Sequence, residues 1–419
     1  MDSFKRIKGG VLAPKGFLGN AVGCGIKKTA GDRLDTAVIY SESPCVAAGT
    51  FTTNRVKAAP VRVTQAHMRA DDIQAIIANS GNANACTGVR GIEDSRQTAK
   101  AVGKALGLRQ RQVAVCSTGV IGLPMPMDLI LPRLDELSSE LRRSANTDIA
   151  KAIMTSDTHH KEIAVSFDIG GQRVKIGACA KGAGMICPSM ATMLCFVTTD
   201  VAISKDNLER LTHAAVETSF NRITIDGDMS TNDTVIVLAN GKSGVPKLRR
   251  NSKPYKDFAE ALEYVMLKLA RKLVRDGERV TKFVTVKVCG ARTHRDAQRV
   301  AEAVANSALV KASWNGEDPN WGRIIHAVGY SGARIKEELI EIHIAGHPAC
   351  VGGLSAPTDL EQIRRAVTAR EFEVCINLNQ GNAEYEVYTS DLSPEYIDFN
   401  RSEYAYWKNA REKQEKQDS

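Results

Sequence analysis

The sequence holds ten cysteines and no Cys-x-x-Cys pair. Several of them sit inside apolar runs such as "VAVCS" and "MLCFV", which is how buried, reduced thiols are used in a cytosolic protein. A disulfide framework is not expected at this length. No apolar run approaches the ~18 residues of a membrane span, and the opening "MDSFKRIKGGVLAPKGF" is basic without an apolar segment behind it. The expectation is a cytoplasmic chain with no membrane partner. Basic residues outnumber acidic ones, 56 to 48, for a net charge of +8, yet no block of like charge occurs. Nucleic-acid binding is therefore not expected, because it would gather Lys and Arg on one element, whereas a small anionic substrate suits a mildly basic surface.

The common catalytic signatures are also missing. There is no Gly-x-Ser-x-Gly, His-Glu-x-x-His or dinucleotide fingerprint. "GKS" at 241–243 fails as a phosphate loop because Ile236 stands where the first glycine is required. His343 and His347 have the spacing of helical metal ligands but fall on a strand pattern broken by Gly346, so a shared face is not expected. Cys187 has no histidine beside it in sequence, and its neighbours Ile186 and Pro188 suit a packed thiol; partners can still meet in space. No cofactor or metal is called for.

What is present is an ordinary globular composition, 43% hydrophobic and 25% charged over 419 residues, enough for one large unit or two closely joined ones. "IQAIIANSGNANACTG" and "QVAVCSTGVIGLPMP" each read as a strand running into a small-residue loop, the second placing Ser117, Thr118 and Gly119 on the loop. "TMLCFVTTDV" reads as a strand, and "SKDNLERLTHAAVETSF" as a helix capped by Ser204. Residues 257–275 form the clearest amphipathic helix, stopped by Gly277 with Glu278 just beyond. "TKFVTVKVCG", "ELIEIHIAG" and "EFEVCINLN" alternate as half-buried strands, and "HRDAQRVAEAVANSALV" reads as a helix. Strands and helices mix without an internal repeat or a flexible linker, so a layered α+β fold is expected. The charged tail, 405–419, is expected to fray.

Small and hydroxyl residues crowd the loops "SGNANACTG", "CSTGVIG", "MTSDTHH" and "DGDMSTNDT", as they do in sites built from backbone N–H groups and hydroxyls, and also in ordinary turns. The stretch "KGAGMICPSMATMLCFVTTD", 181–200, is more specific. A threonine hydroxyl can attack the carbonyl before it, and hydrolysis of the resulting ester leaves that threonine with a free α-amine. Such an amine titrates at about 7.7–8.0 and can act as base for its own hydroxyl. The reaction needs a small preceding residue and a constrained turn, which Ala191 and the Gly182, Gly184 and Pro188 loop provide. On the residues alone the favoured alternative is packing, with Met185, Met190 and Met193 filling a core around a plain loop-to-strand junction.

That stretch resembles the self-cleavage segment of the glutamate N-acetyltransferases of arginine biosynthesis, the ornithine acetyltransferase family, whose pattern is K-G-x-G-M-x-x-P-x-M-A-T-M-L. "NSGNANACTG", "STGVIG", "SFNRITIDGDMSTNDT", "DGERVTKF", "DPNWGR" and "NQGNAEYEVYTSDLSPEYI" resemble its other motifs in the same order, from about Gly9 to Tyr404. The resemblance implies an αββα-type layered fold and cleavage between Ala191 and Thr192. The products would be an α chain, 1–191, and a β chain, 192–419, that stay together as α2β2.

It further implies that Thr192 takes acetyl from N2-acetylornithine and passes it to glutamate, with acetyl-CoA a further donor in some members. Thr118 and Gly119 match the oxyanion-stabilising pair, and Thr155, Lys181, Thr192, Glu278 and Asn400 match substrate-binding positions. The chain departs from the family in running on through "RSEYAYWKNA" to Ser419, and in carrying Arg279 and Val280 after the glutamate; both changes bear on substrate selection. A related self-cleaving amidase or aminopeptidase with an N-terminal Thr, and an unprocessed amino-acid-binding protein, are the rival readings.

Overall fold

The computed structural model describes residues 4–27, 33–69, 72–187, 193–401 and 408. It is an α+β fold, as expected, and divides into two compact units. The first takes the described residues of 1–185, 189–221 and 228–273, and the second those of 186–188, 222–227 and 274–419. The tail expected to fray lies outside the described residues except for Lys408.

The first unit is built on a sheet of β1 (Lys5–Ile7), β2 (Phe17–Val22), β3 (Thr36–Phe51), β4 (Ile73–Asn82), β5 (Val113–Val120), β6 (Lys161–Ile169), β7 (Gln172–Lys181), β8 (Leu194–Thr199) and β9 (Thr234–Ala239). The order is β1-β6-β7-β8-β9-β3-β4-β5, with β2 also on β3. The long strand β3 joins two halves of the sheet: Thr36–Tyr40 pairs with β4, and after an irregularity Val46–Phe51 pairs with β9. β8 and β9 are buried at every position, which is why "LCFVTT" and "TVIVLA" read as unbroken apolar or β-branched runs and not as alternating ones.

Parallel pairing of β8 with β9 and antiparallel pairing of β7 with β8 put Lys181, Leu194 and Thr234 at one end of the sheet. Phe51 of β3 pairs with Thr234, and Lys161 of β6 with Ala180, so two further strands reach the same end. Five strand termini therefore converge there.

The second unit carries β10 (Phe283–Ala291), β11 (Glu341–Ile344), β12 (His347–Val351), β13 (Leu354–Ser355), β14 (Glu371–Asn377) and β15 (Ala383–Ser390), ordered β13-β12-β11-β14-β10-β15. Alternation along β10, β11 and β14 sends Val284, Val286, Val288, Ile342, Val374 and Ile376 into one core with the helices His294–Asn306, Trp321–Tyr330 and Leu360–Val367. His343 and His347 fall on the two strands of one hairpin, and among the described residues no group of side chains could hold a metal ion.

Three expected boundaries differ. β5 continues through Ser117, Thr118 and Gly119 instead of breaking into a loop, because β4 continues beside it and pairs Asn79 with Ser117 and Ser80 with Thr118. The amphipathic helix begins at Lys253. The helix from His294 ends at Asn306, where Ser307 caps a second helix, Ala308–Asn315, by accepting from Val310 N–H. Among the described residues no helix is long and apolar enough to cross a membrane. Six of the ten cysteines are buried.

Candidate functional site

The end of β5 carries the first predicted pair. Gly119 has φ +134°, and a Cβ there would lie 2.3 Å from the carbonyl carbon of Gly81. Only glycine at 119 lets β4 and β5 approach this closely. The same strand is tied from both sides. Ser117 Oγ donates to Asn79 Oδ1 at 2.6 Å, and Asn232 Nδ2 donates to the carbonyls of Ser117 at 2.8 Å and Ala83 at 2.6 Å. Asn232 stands two residues before β9, so one side chain holds the end of β5 against the start of β9.

Thr118 is buried, and its Oγ1 accepts from Lys181 Nζ at 3.3 Å. Among the described residues the Thr118 hydroxyl donates to nothing, which leaves its hydrogen for an oxygen arriving from outside. Lys181, the last residue of β7, is itself only 2% exposed. Two of the residues singled out in the sequence, 63 positions apart, are thus brought into contact.

Beside them lies a group the sequence did not single out. Asp157 is buried, and its Oδ1 accepts from Lys161 Nζ at 2.6 Å and from Gly182 N–H at 2.8 Å. Its Oδ2 accepts from Thr155 N–H at 3.1 Å, so Asp157 fixes the backbone of Thr155, a predicted substrate position, and of the residue after Lys181. Burial pushes the Asp157 carboxyl up, but Lys161, Lys181 and the Gly182 N–H outweigh it and hold the group at about 2. It is a carboxylate at any physiological pH.

A second buried aspartate stands just before β9. Asp233 is fully buried; Oδ1 accepts from Met193 N–H at 2.9 Å, and Oδ2 has no hydrogen-bond partner among the described residues. Burial drives this carboxyl well above the ordinary 3.8, against the pull of Met193 N–H, Lys181, Thr52 and Ser230. Its backbone is shared in the same way, with Thr52 N–H donating to Asp233 C=O at 3.0 Å and Thr234 N–H to Met193 C=O at 3.1 Å.

Two further predicted residues, Glu278 and Asn400, belong to the second unit. Glu278 lies in a turn of the second unit, half-buried, next to Arg279, which has φ +56° and places its guanidinium 5.2 Å from the Phe399 ring. Asn400 is exposed in the helix 394–401, with Nδ2 donating to Tyr396 C=O at 2.8 Å. Ala191 and Thr192 lie outside the described residues. Asp157, Asn232 and Asp233 were missed, although "MTSDTHH" and "STNDT" were noted as polar loops. The available signal was a carboxylate or amide among hydroxyls at a strand end.

The ArgJ family model matches residues 19–405. The chain belongs to the ArgJ family. Among its relatives in that family is the arginine biosynthesis bifunctional protein ArgJ of Geobacter sulfurreducens, 48% identical over 387 residues, covering 92% of this chain and 98% of the relative. The glutamate N-acetyltransferase of Methanocaldococcus jannaschii is 43% identical over 406 residues, covering 94% and 98%. A crystal structure of the arginine biosynthesis bifunctional protein ArgJ from Bacillus halodurans is 36% identical, covers 49% of this chain and 98% of that one, and has a TM-score of 0.48.

Proposed function

We propose that this chain is a cytoplasmic, self-processing acyltransferase of arginine biosynthesis that moves acetyl from N2-acetylornithine to glutamate. Thr192 attacks the carbonyl of Ala191, the resulting ester is hydrolysed, and the chains 1–191 and 192–419 remain assembled, as α2β2. The freed α-amine of Thr192 then takes the proton of its own hydroxyl. The oxygen attacks the acetyl carbonyl, and the tetrahedral oxyanion is held by the Thr118 hydroxyl and the Gly119 N–H. Collapse expels ornithine, whose amine takes up the proton, and leaves acetyl-Thr192. The amine of glutamate attacks that ester, N-acetylglutamate departs, and Thr192 regains its proton.

The observation that carries this reading is the contact between Lys181 and Thr118 beside the strand that begins two residues after Thr192. A cation and an undonated hydroxyl at that point suit the carboxylate of an amino acid and a developing oxyanion. Thr155, Glu278 and Asn400 complete substrate binding, the glutamate carboxyl answering a substrate amine. The names carried by the Geobacter and Methanocaldococcus relatives support the pathway and the acceptor.

Denaturing electrophoresis with intact-mass measurement tests the processing step, and two fragments meeting at 191/192 are expected. Thr192→Ala should remain one chain and lose transfer. Incubation with N2-acetylornithine and glutamate should form N-acetylglutamate; release of free acetate in its place would identify the amidase reading. Acetyl-CoA offered as sole donor decides whether the chain also acetylates glutamate from that source. A single full-length band from a fresh preparation of the unmutated protein overturns the whole reading.

A further inference from the structure

Parallel pairing of β8 and β9 brings the residue before each strand, Met193 and Asp233, side by side. Met193 N is the nitrogen bonded to the carbonyl carbon of Thr192, so whatever grips that N–H fixes the peptide directly after the nucleophile. Asp233 grips it at 2.9 Å from a fully buried position. We propose that Asp233 is a positioning residue for both self-cleavage and acetyl transfer, acting through the Met193 N–H to hold the start of the second chain in register with Thr118 and Lys181. The inference rests on the reading of Thr192 given above.

The surroundings specify how it acts. Burial raises the Asp233 carboxyl, against the pull of the Met193 N–H, Lys181 and the hydroxyls of Thr52 and Ser230. What Asp233 supplies to Met193 is one accepting oxygen, Oδ1. An asparagine has the same shape and the same accepting oxygen. Asparagine should therefore replace Asp233, which it could not do for a carboxylate acting as a base. Leucine has the same branching but no acceptor, so it leaves Met193 N–H buried and unpaired, and a small displacement of a reacting group costs about 10²-fold.

The full-length chain is expressed as wild type, Asp233→Asn and Asp233→Leu. Folding is checked by thermal unfolding, appearance of the two fragments is timed by denaturing electrophoresis, and kcat and KM are measured separately with N2-acetylornithine and glutamate. Asp233→Asn should stay within about 3-fold of wild type in cleavage rate and kcat. Folded Asp233→Leu should cleave and turn over at least ~10-fold more slowly, up to about 10²-fold, with KM within about 3-fold.

Wild-type rates in folded Asp233→Leu, or an Asn variant as impaired as the Leu variant, would overturn the proposal. If Asp233→Leu does not fold, the Asn variant decides alone: retained cleavage and kcat support it, and loss of either in folded protein overturns it. Wild-type protein that never cleaves would instead sink the functional reading, whatever the variants do.

Discussion

Asp157 and Asp233 lie in the same unit, both buried, both accepting a backbone N–H at the same end of one sheet, yet their carboxyls are shifted in opposite directions. Asp157 has the Lys161 ammonium at 2.6 Å and Lys181 nearby, and is held at about 2. Asp233 shares the influence of Lys181 but is otherwise met by neutral donors, and burial pushes it well above 3.8. Depth of burial alone does not decide which way a buried carboxyl shifts; the number and closeness of cations weigh against it. The consequence for the site is a division of labour. One aspartate sits among two buried lysines and ties down Thr155 and Gly182, while the other holds the residue before β8.

The most severe way to break this contrast is to discharge the ionised member. Asp157→Asn leaves Lys161 buried without its carboxylate, and removing one partner of such a pair costs roughly 3–5 kcal/mol. The urea midpoint should fall accordingly; an unchanged midpoint would mean the pair carries no weight. Thr118→Ala removes the hydroxyl that accepts from Lys181 and should slow transfer about 10²–10³-fold, and an unaffected rate would remove Thr118 from the oxyanion role. Asn232→Ala deletes the two bonds to Ser117 and Ala83 and should lower stability by about 1–3 kcal/mol. Turnover should drop with it, because the end of β5 is no longer held against β9.

The smallest effect is the sharpest test of sign. The folded Asp157 carboxyl lies below its unfolded value, so its contribution is full above about pH 4 and is lost as pH falls through about 2. The folded Asp233 carboxyl lies above its unfolded value, so its contribution is full below pH 3.8 and is lost as pH rises through the folded value. Urea midpoints of wild type and Asp157→Asn should converge on acidification. Wild type should lose ground to Asp233→Asn as pH rises from about 4 towards neutrality. Two difference curves of the same slope would show that both carboxyls shift in the same direction.

Much of the fold was legible because it rests on periodicity. The helix Lys205–Glu217, the strand Leu194–Thr199 and the alternation of β10, β11 and β14 follow directly from the spacing of apolar residues. The end of β5 was misread as a loop because Ser117-Thr118-Gly119 is turn-like in composition, and only the pairing of each residue with β4 keeps it extended. The break at Ser307 was missed for a related reason, since "ANSALV" preserves the helical apolar spacing on both sides of the cap.

For the site, the local order of residues named Thr118, Lys181 and Thr155 through a family pattern, and the tertiary structure brought Lys181 to Thr118 and Asp157 to Thr155. The sequence by itself determined where glycine is obligatory, which segments form strands, and which hydroxyl and amine groups stand at their ends. What only the tertiary structure decided is the ionisation of those groups. Charge state depends on distances to cations and on exclusion of water, and here those distances join residues 157 with 161 and 181, and 233 with 193. That is how two aspartates with unremarkable neighbours in the chain came to be shifted in opposite directions.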